Sequence, residues 1–278
     1  MAGYRCISFL TDYGLADGFV GACHGVFARI APAVRVIDIT HLVAPGDVRR
    51  GAAVLAQTVP YLPPGVHVAV VDPGVGTARR GVAVQAGDHV FVGPDNGLLS
   101  WAADAVGGPA HAYELAEPTL MLPEVSSTFH GRDVFAPVAA HLATGVPLER
   151  VGPELPVDRL VRLPDPVSRL HADHAEGEVV TVDRYGNVQT SLTGDQVGAL
   201  GLRPGTRLEV RSAEGRWEFT YGETFGSVPV GRLVAFVDSA GMLALAINGG
   251  NAANQLGLAP GDPVTVRSQP RREHLPVS

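Results

Sequence analysis

Val66-His67-Val68-Ala69-Val70-Val71-Asp72-Pro73-Gly74-Val75-Gly76-Thr77-Ala78-Arg79-Arg80 is the stretch on which the fold reading turns. Its first six residues are a Val-rich run of strand length, and the run stops at Asp-Pro-Gly. A carboxylate, two glycines and two arginines therefore follow the C-terminal end of a buried strand. In an open α/β sheet that edge is where ligands bind. The spacing of Asp72 and Arg79 lets the loop fold back and bring guanidinium to carboxylate. Taken alone, the pair also fits a plain loop ion pair around a Gly-rich turn.

Working outward, Cys6–Leu10 reads as an apolar strand ended by Thr11-Asp12-Tyr13-Gly14. Asp17 opens a helical stretch to Ile30, with Phe19, Val20, Cys23, Val26, Phe27 and Ile30 on one stripe. Val34–Ile39 is a second strand. Asp47 begins a second helix with Val48, Ala52, Leu55 and Val59 inward, and Pro60 stops it. The β-α-β-α-β order predicts parallel strands joined by right-handed crossovers. Asp12 and Asp72 then share one edge of the sheet. Gly81–Gln85 and Val90–Val92 are further strands around Gly87-Asp88. Pro94-Asp95-Asn96-Gly97 reads as a turn before a helix from Leu98. His130 stands at the entrance of a helix ending near Gly145, and Asp133 reads as a first-turn acid favoured by the helix dipole.

The 278 residues suffice for one large domain or two smaller ones. With 46% apolar and 18% charged residues the chain is an ordinary globular sequence. A net charge of −7 argues against nucleic acid as a partner and suits a cationic ligand. All 21 basic residues are arginine, which removes a lysine Schiff base and the P-loop lysine. Cys6 and Cys23 lack any disulfide or metal-ligand spacing and read as buried thiols. No signal segment or membrane-length apolar run is read, since Asp12 and Asp17 interrupt the start, and a cytoplasmic enzyme is expected.

Pro147 to Ala175 has no clear period and reads as a surface connection with a domain boundary near Leu170, giving domains 1–170 and 171–278. Beyond it, Glu178–Val182, Val188–Ser191, Arg207–Arg211, Trp217–Tyr221, Leu233–Val237 and Leu243–Ile247 read as short strands between Gly or Pro turns. Their spacing predicts a small β-barrel or sandwich. Asp183-Arg184-Tyr185-Gly186-Asn187 reads as a hairpin turn, and Gly249-Gly250-Asn251 as a loop capping a last helical turn.

Five motifs, in order, carry a family resemblance: Leu10–Gly14, Val71–Arg79, Gly93–Gly97, Thr128-Phe129-His130-Gly131-Arg132-Asp133 and Asp183–Asn187. Together they resemble the adenosine-forming S-adenosyl-L-methionine (SAM) hydrolases, also called SAM hydroxide adenosyltransferases, relatives of fluorinase and chlorinase. The likeness runs from about Cys6 to about Val266. It implies an N-terminal α/β domain with a largely parallel central sheet and a C-terminal β-barrel domain. It also implies a homotrimer with SAM held between subunits, and no cofactor or metal. By position, Asp72, Arg79 and His130 match the trio associated with water activation. Asp12 matches the residue that holds the ribose diol. Asp17, Asp183 and Ser239 match the methionine side, with Asp183 suited to the ammonium. Asn187, Phe225, Asn248 and Gly249 match the adenine side. The halogenases carry uncharged residues at the positions of Asp72 and His130 and a longer N-domain loop, so the resemblance is to a hydrolase. Ile247 departs from the arginine that the halogenases place near the base.

The implied chemistry is coherent in itself. A sulfonium at C5′ leaves as a neutral thioether, so no general acid is required. The protein supplies an in-line water, activated beside a positioned ribose. Either His130 or Asp72 is able to take the proton. Two rival readings remain at this point. One is a metal-dependent phosphohydrolase built on Asp12, Asp72, His130 and Asp133. The other is a non-catalytic SAM- or nucleoside-binding protein.

Overall fold

A computed structural model describes residues 3–269. The chain divides into two compact units, Met1–Pro164 and Asp165–Ser278. The first begins as the hydropathy pattern requires. Strand β1 (Cys6–Thr11) leads to helix α1 (Phe19–Ile30), strand β2 (Arg35–Thr40), helix α2 (Val48–Thr58) and strand β3 (Val66–Val70). Then come β4 (Gly81–Ala86), β5 (His89–Pro94), α3 (Ser100–Ala105), β6 (Pro109–Glu114), α4 (Ala136–Ala143) and β7 (Glu154–Leu155). The seven strands form one sheet in the order β2-β1-β3-β5-β4-β6-β7. β2, β1, β3 and β5 are mutually parallel; β4 runs against β5, β6 against β4 and β7 against β6. The sheet is thus mainly parallel, as expected.

Alternation along the strands builds two apolar layers. Ile7, Phe9, Val66, Val68 and Val70 pack against Cys23, Val26 and Phe27 of α1 and Val138, Ala139 and Leu142 of α4. On the opposite face, Leu10, Ala69, Val71, Val82 and Phe91 pack with Ala52 and Leu55 of α2 and Leu98, Leu99 and Ala102 near α3. Asp47 caps α2 by accepting from the Arg50 N–H at 2.9 Å. Asp17, by contrast, is exposed and lies ahead of the first helical residue, with Gly18 at the cap. Cys6 and Cys23 are free and buried.

The second unit holds β8 (Ser168–Leu170), β9 (Ala175–Val182), β10 (Val188–Thr193), α5 (Gly194–Ala199), β11 (Arg207–Ser212) and β12 (Gly215–Tyr221). It ends with β13 (Leu233–Val237), β14 (Met242–Ile247), α6 (Ala252–Leu256) and β15 (Pro263–Gln269). The order β10-β14-β13-β12-β11-β15-β9-β8, with β9 pairing back to β10, closes a seven-strand barrel from β9 to β15. Phe219, Leu208, Leu243, Leu245 and Val266 fill it.

The connection from Pro147 is more ordered than its sequence suggests. β7 pairs with β6 in the first unit, which runs to Pro164, and β8 pairs with β9 inside the second. All three β8 side chains are exposed, so this strand has no hydropathy alternation to reveal it. β6 and β15 escaped the sequence reading too.

Candidate active site

Asp12 and Asp72 follow the C-terminal ends of the adjacent parallel strands β1 and β3. The Asp12 N–H donates to the Val70 carbonyl at 3.3 Å, which ties the two strand ends together. One Asp12 oxygen, Oδ2, accepts from the Gly46 N–H at 2.8 Å. A carboxylate offers about four lone-pair positions, so acceptor capacity remains for a ligand.

The loop after Asp72 folds back on itself. Arg79 Nε donates to Asp72 Oδ1 at 3.0 Å and Oδ2 at 2.9 Å, and Nη2 also binds Oδ2. The same Nη2 reaches His130 Nδ1 at 2.9 Å. Arg79 therefore joins a strand-end carboxylate to an imidazole 51 residues away in sequence. The Asp72 and Arg79 side chains are only 6% and 12% exposed, so this is no solvated surface pair. The Arg79 guanidinium also lies 5.2 Å from the centre of the Phe135 ring.

That contact fixes a proton. A guanidinium has donors and no acceptor, so His130 Nδ1 must present its lone pair. The neutral imidazole then carries its hydrogen on Nε2. Burial and then the Arg79 charge hold His130 below the ordinary histidine range, against opposing pulls from Asp72 and Asp133. His130 precedes a π-helical turn over Gly131–Phe135 and makes no side-chain cap bond. Asp133 is the acid of that first turn, and it is fully buried, paired with Arg132 at 2.6 Å, and accepts from the Ser126 N–H at 2.9 Å. It ties the loop before His130 to the turn after it.

Two glycines let these loops meet. A Cβ on Gly131 would stand 1.9 Å from Tyr13 Oη, and one on Gly76 would stand 2.5 Å from the Ser127 carbonyl oxygen. Tyr13, Phe19 and Phe129 form an edge-to-face cluster with centroids 5.2–6.1 Å apart. Asn96, read from sequence only as turn chemistry, sends its side-chain N–H to the Val71 carbonyl at 2.8 Å and accepts from the Leu98 N–H. It thereby holds the residue before Asp72. Neighbouring Asp95 is buried, bound to Arg80 at 2.6 Å and to the Val161 N–H at 2.8 Å. No sequence signal separates such a role from an ordinary turn.

The other expected residues belong to the second unit, apart from Asp17. Asp183 closes the β9–β10 hairpin: Oδ1 accepts from the Tyr185 and Asn187 N–H groups at 2.8 and 2.9 Å, and Oδ2 from Asn187 Nδ2 at 2.7 Å. Asn248 donates from Nδ2 to the Val228 carbonyl at 2.7 Å, and Gly249 follows with φ +73°. Phe225 is partly exposed and packs edge-on against Phe236 at 4.8 Å. Ser239 is exposed in the β13–β14 turn, which Asp238 braces by accepting from the Ala240 N–H at 2.9 Å. Ile247 is buried in the barrel core.

A mainly parallel α/β unit with an Asp–Arg–His cluster at its carboxyl edge, followed by a β-barrel unit, defines a two-domain class. Residues 7–152 match the SAM hydroxide adenosyltransferase N-terminal domain, and residues 177–265 match the C-terminal domain of the same family. The chain belongs to the SAM hydroxide adenosyltransferase family. It is 57% identical over 268 residues to an (R)-S-adenosyl-L-methionine hydrolase of Salinispora arenicola, covering 96% of this chain and 99% of that one. A fluorinase of Nocardia brasiliensis is 31% identical over 94% of this chain and 96% of its own. A crystal structure of an uncharacterized conserved protein from Thermotoga maritima superposes with a TM-score of 0.89 at 38% identity, covering 94% of this chain and 99% of that one.

Proposed function

We propose that this chain hydrolyses S-adenosyl-L-methionine to adenosine and L-methionine, by attack of an activated water at C5′ of the ribose. The observation that carries the reading is the single guanidinium joining Asp72 to His130 beside Asp12. Asp12 holds the ribose diol through the acceptor capacity that Gly46 leaves free. His130 Nε2–H orients the water and stabilises developing hydroxide. Asp72 takes the proton, because His130 Nδ1 is occupied by Arg79 while Asp72 Oδ1 accepts only one contact from it. The water oxygen forms its bond to C5′ as the C5′–S bond breaks, and the electron pair leaves on the methionine thioether.

No metal takes part in this step. Arg79 already supplies the positive charge between Asp72 and His130, where a metal would be repelled, which disfavours the phosphohydrolase reading. On the second unit, Asp183 meets the methionine ammonium with Ser239 nearby. Asn187, Phe225, Asn248 and Gly249 serve the adenine, and Asp17 approaches the methionine from the first unit. The active form is a homotrimer in which each site takes one N-terminal unit and a neighbour's C-terminal unit. The site is cytoplasmic, in keeping with free buried Cys6 and Cys23. No helix among the described residues is long and apolar enough to cross a membrane.

The test is chromatography of protein incubated in ¹⁸O-water with each sulfonium epimer, before and after EDTA dialysis. Adenosine and methionine are expected in equal amounts, with label in the adenosine 5′-hydroxyl and no loss of rate after EDTA. Unlabelled adenosine or methylthioadenosine as the main product would refute water attack. Recovery of unchanged ligand would favour the binding-protein reading.

A further inference from the structure

Outside the trio, one cluster brings metal-ligand atoms together around a buried, unpartnered nitrogen. His24 lies on α1, Asp38 on the edge strand β2, and His41 just beyond it. One ligand atom from each falls within 4.8 Å of the other two. His24 Nε2 is 2.9 Å and His41 Nε2 is 3.1 Å from the same oxygen, Asp38 Oδ1. The His41 side chain is only 3% exposed, yet its Nε2, 3.1 Å from Asp38 Oδ1, makes no hydrogen bond. Buried polar atoms are normally satisfied, so a buried nitrogen left unused beside two other ligand-type side chains calls for a partner.

We propose that His24, Asp38 and His41 form a binding site for one divalent transition-metal ion, with Zn²⁺ the ion it suits. Two imidazoles and a carboxylate are borderline donors of the kind zinc accepts, and three protein ligands leave a position for water. A tetrahedral zinc with bonds of about 2.0–2.1 Å holds its ligand atoms roughly 3.3 Å apart. The two nitrogen–oxygen separations here need to open by only a few tenths of an ångström.

The surroundings hold the ligands in place. Thr11 Oγ1 is 2.9 Å from His41 Nδ1, the outer contact that fixes a ligating imidazole with its other nitrogen free for the metal. Phe9 packs edge-on against His41 at 4.9 Å and His24 at 6.1 Å. Between Phe9 and Leu10 the β1–β2 register slips, so that Phe9 faces Asp38 and Leu10 faces Thr40. Such a bulge re-aims side chains near the strand end. The His41 carbonyl accepts from the Gly14 N–H at 2.7 Å, which joins the cluster to the segment after Asp12. A second group, His171, His174 and Glu176, is more exposed and shows no buried unpartnered nitrogen, so it serves as the competing location.

The experiment is calorimetric titration of Zn²⁺ into metal-stripped full-length protein, paired with anomalous diffraction at the zinc edge. One ion per chain is expected, with anomalous density among His24, Asp38 and His41. His24→Ala, on an accessible helix face, and Asp38→Asn should each weaken binding at least tenfold. Thr11→Val should weaken it less, by loss of the outer contact. A His171→Ala/His174→Ala variant should bind as the parent does. If His41→Ala fails to fold, His24→Ala tests the same site without disturbing a buried side chain. Absent zinc binding overturns the proposal, and so does binding that survives His24→Ala but is lost with His171 and His174.

Discussion

Asp72 and Asp183 are both carboxylates in tight loops after strands, yet they are neutralised in opposite ways. Asp72 is held by the guanidinium of Arg79, which in turn reaches His130 from a different loop. Asp183 is satisfied inside its own turn by two backbone N–H groups and one amide, all within four residues. The first arrangement consumes the carboxylate's charge in a cluster that exists only when distant loops meet. The second fixes a carboxylate while leaving its negative charge unmatched by any basic side chain in its hydrogen-bond set. A group of the first kind suits work on a water; one of the second kind suits a cationic ligand such as an ammonium.

The largest test breaks the first arrangement. Asp72→Ala, Arg79→Ala or His130→Ala should each lower turnover by about 10²–10⁴-fold, the usual value of positioned acid–base groups, with SAM affinity in calorimetry nearly unchanged. Arg79→Lys should fail as well, since an ammonium lacks the fork that spans Asp72 and His130. Because His130 acts as a neutral group and sits below the ordinary histidine range, the rate should hold near neutral pH and fall only as acid charges the ring. Trio variants that lose affinity but keep turnover would reverse the comparison.

Whether the two carboxylates serve one site in different subunits is open to complementation. His130→Ala and Asp183→Ala proteins, unfolded together and refolded, should recover roughly a quarter of parental activity if sites form across a closed ring of random composition. Mixtures as inactive as either parent would place both groups in one chain's site.

Acid sharpens the contrast on stability grounds, since the first unit carries a buried histidine chain. Ser8 Oγ lies 2.7 Å from His67 Nδ1, and His67 Nε2 lies 2.7 Å from His89 Nδ1. Burial, with His89 adding to it, pushes His67 down to about 3. The unfolded chain takes up this proton near pH 6.5 and the folded chain does not, so stability falls as pH drops from about 6.5 toward 3. At pH 4.5 the loss is about 2–3 kcal/mol, and His67→Gln should remove it from urea titrations compared at about pH 7 and 4.5.

The smallest effect concerns Asn96. Asn96→Ala leaves the Val71 carbonyl without its side-chain donor and should cost about 1–2 kcal/mol in thermal unfolding. Turnover should fall further than SAM affinity, because the residue set loose precedes Asp72. Equal losses in both would make Asn96 a structural residue only.

Much of the fold was legible because its signals are local. The Val66–Val71 run, the Asp47 cap and the Asp183–Asn187 turn each depend on residues within a few positions of one another. Sequence periodicity does not reveal β6, β8 or β15: β8 exposes every side chain, β6 buries only Ala112, and β15 alternates only over Val264 and Val266 before three half-buried polar residues. The pairing of Asp72 with Arg79 was foreseeable from loop length, whereas the motif resemblance alone brought His130 to them.

The sequence by itself determined the βα order, the shared strand edge of Asp12 and Asp72, and the barrel's strand-and-turn rhythm, since periodicity and turn chemistry act over a few residues. Only the tertiary structure decided that Arg79 bonds His130 at Nδ1, that Asp133 is buried, that Asn96 holds Val71, and that His24, Asp38 and His41 converge. Those contacts join loops and strands far apart in the chain. Their geometry depends on sheet register and on close approaches that Gly76 and Gly131 permit, and no residue pattern encodes either.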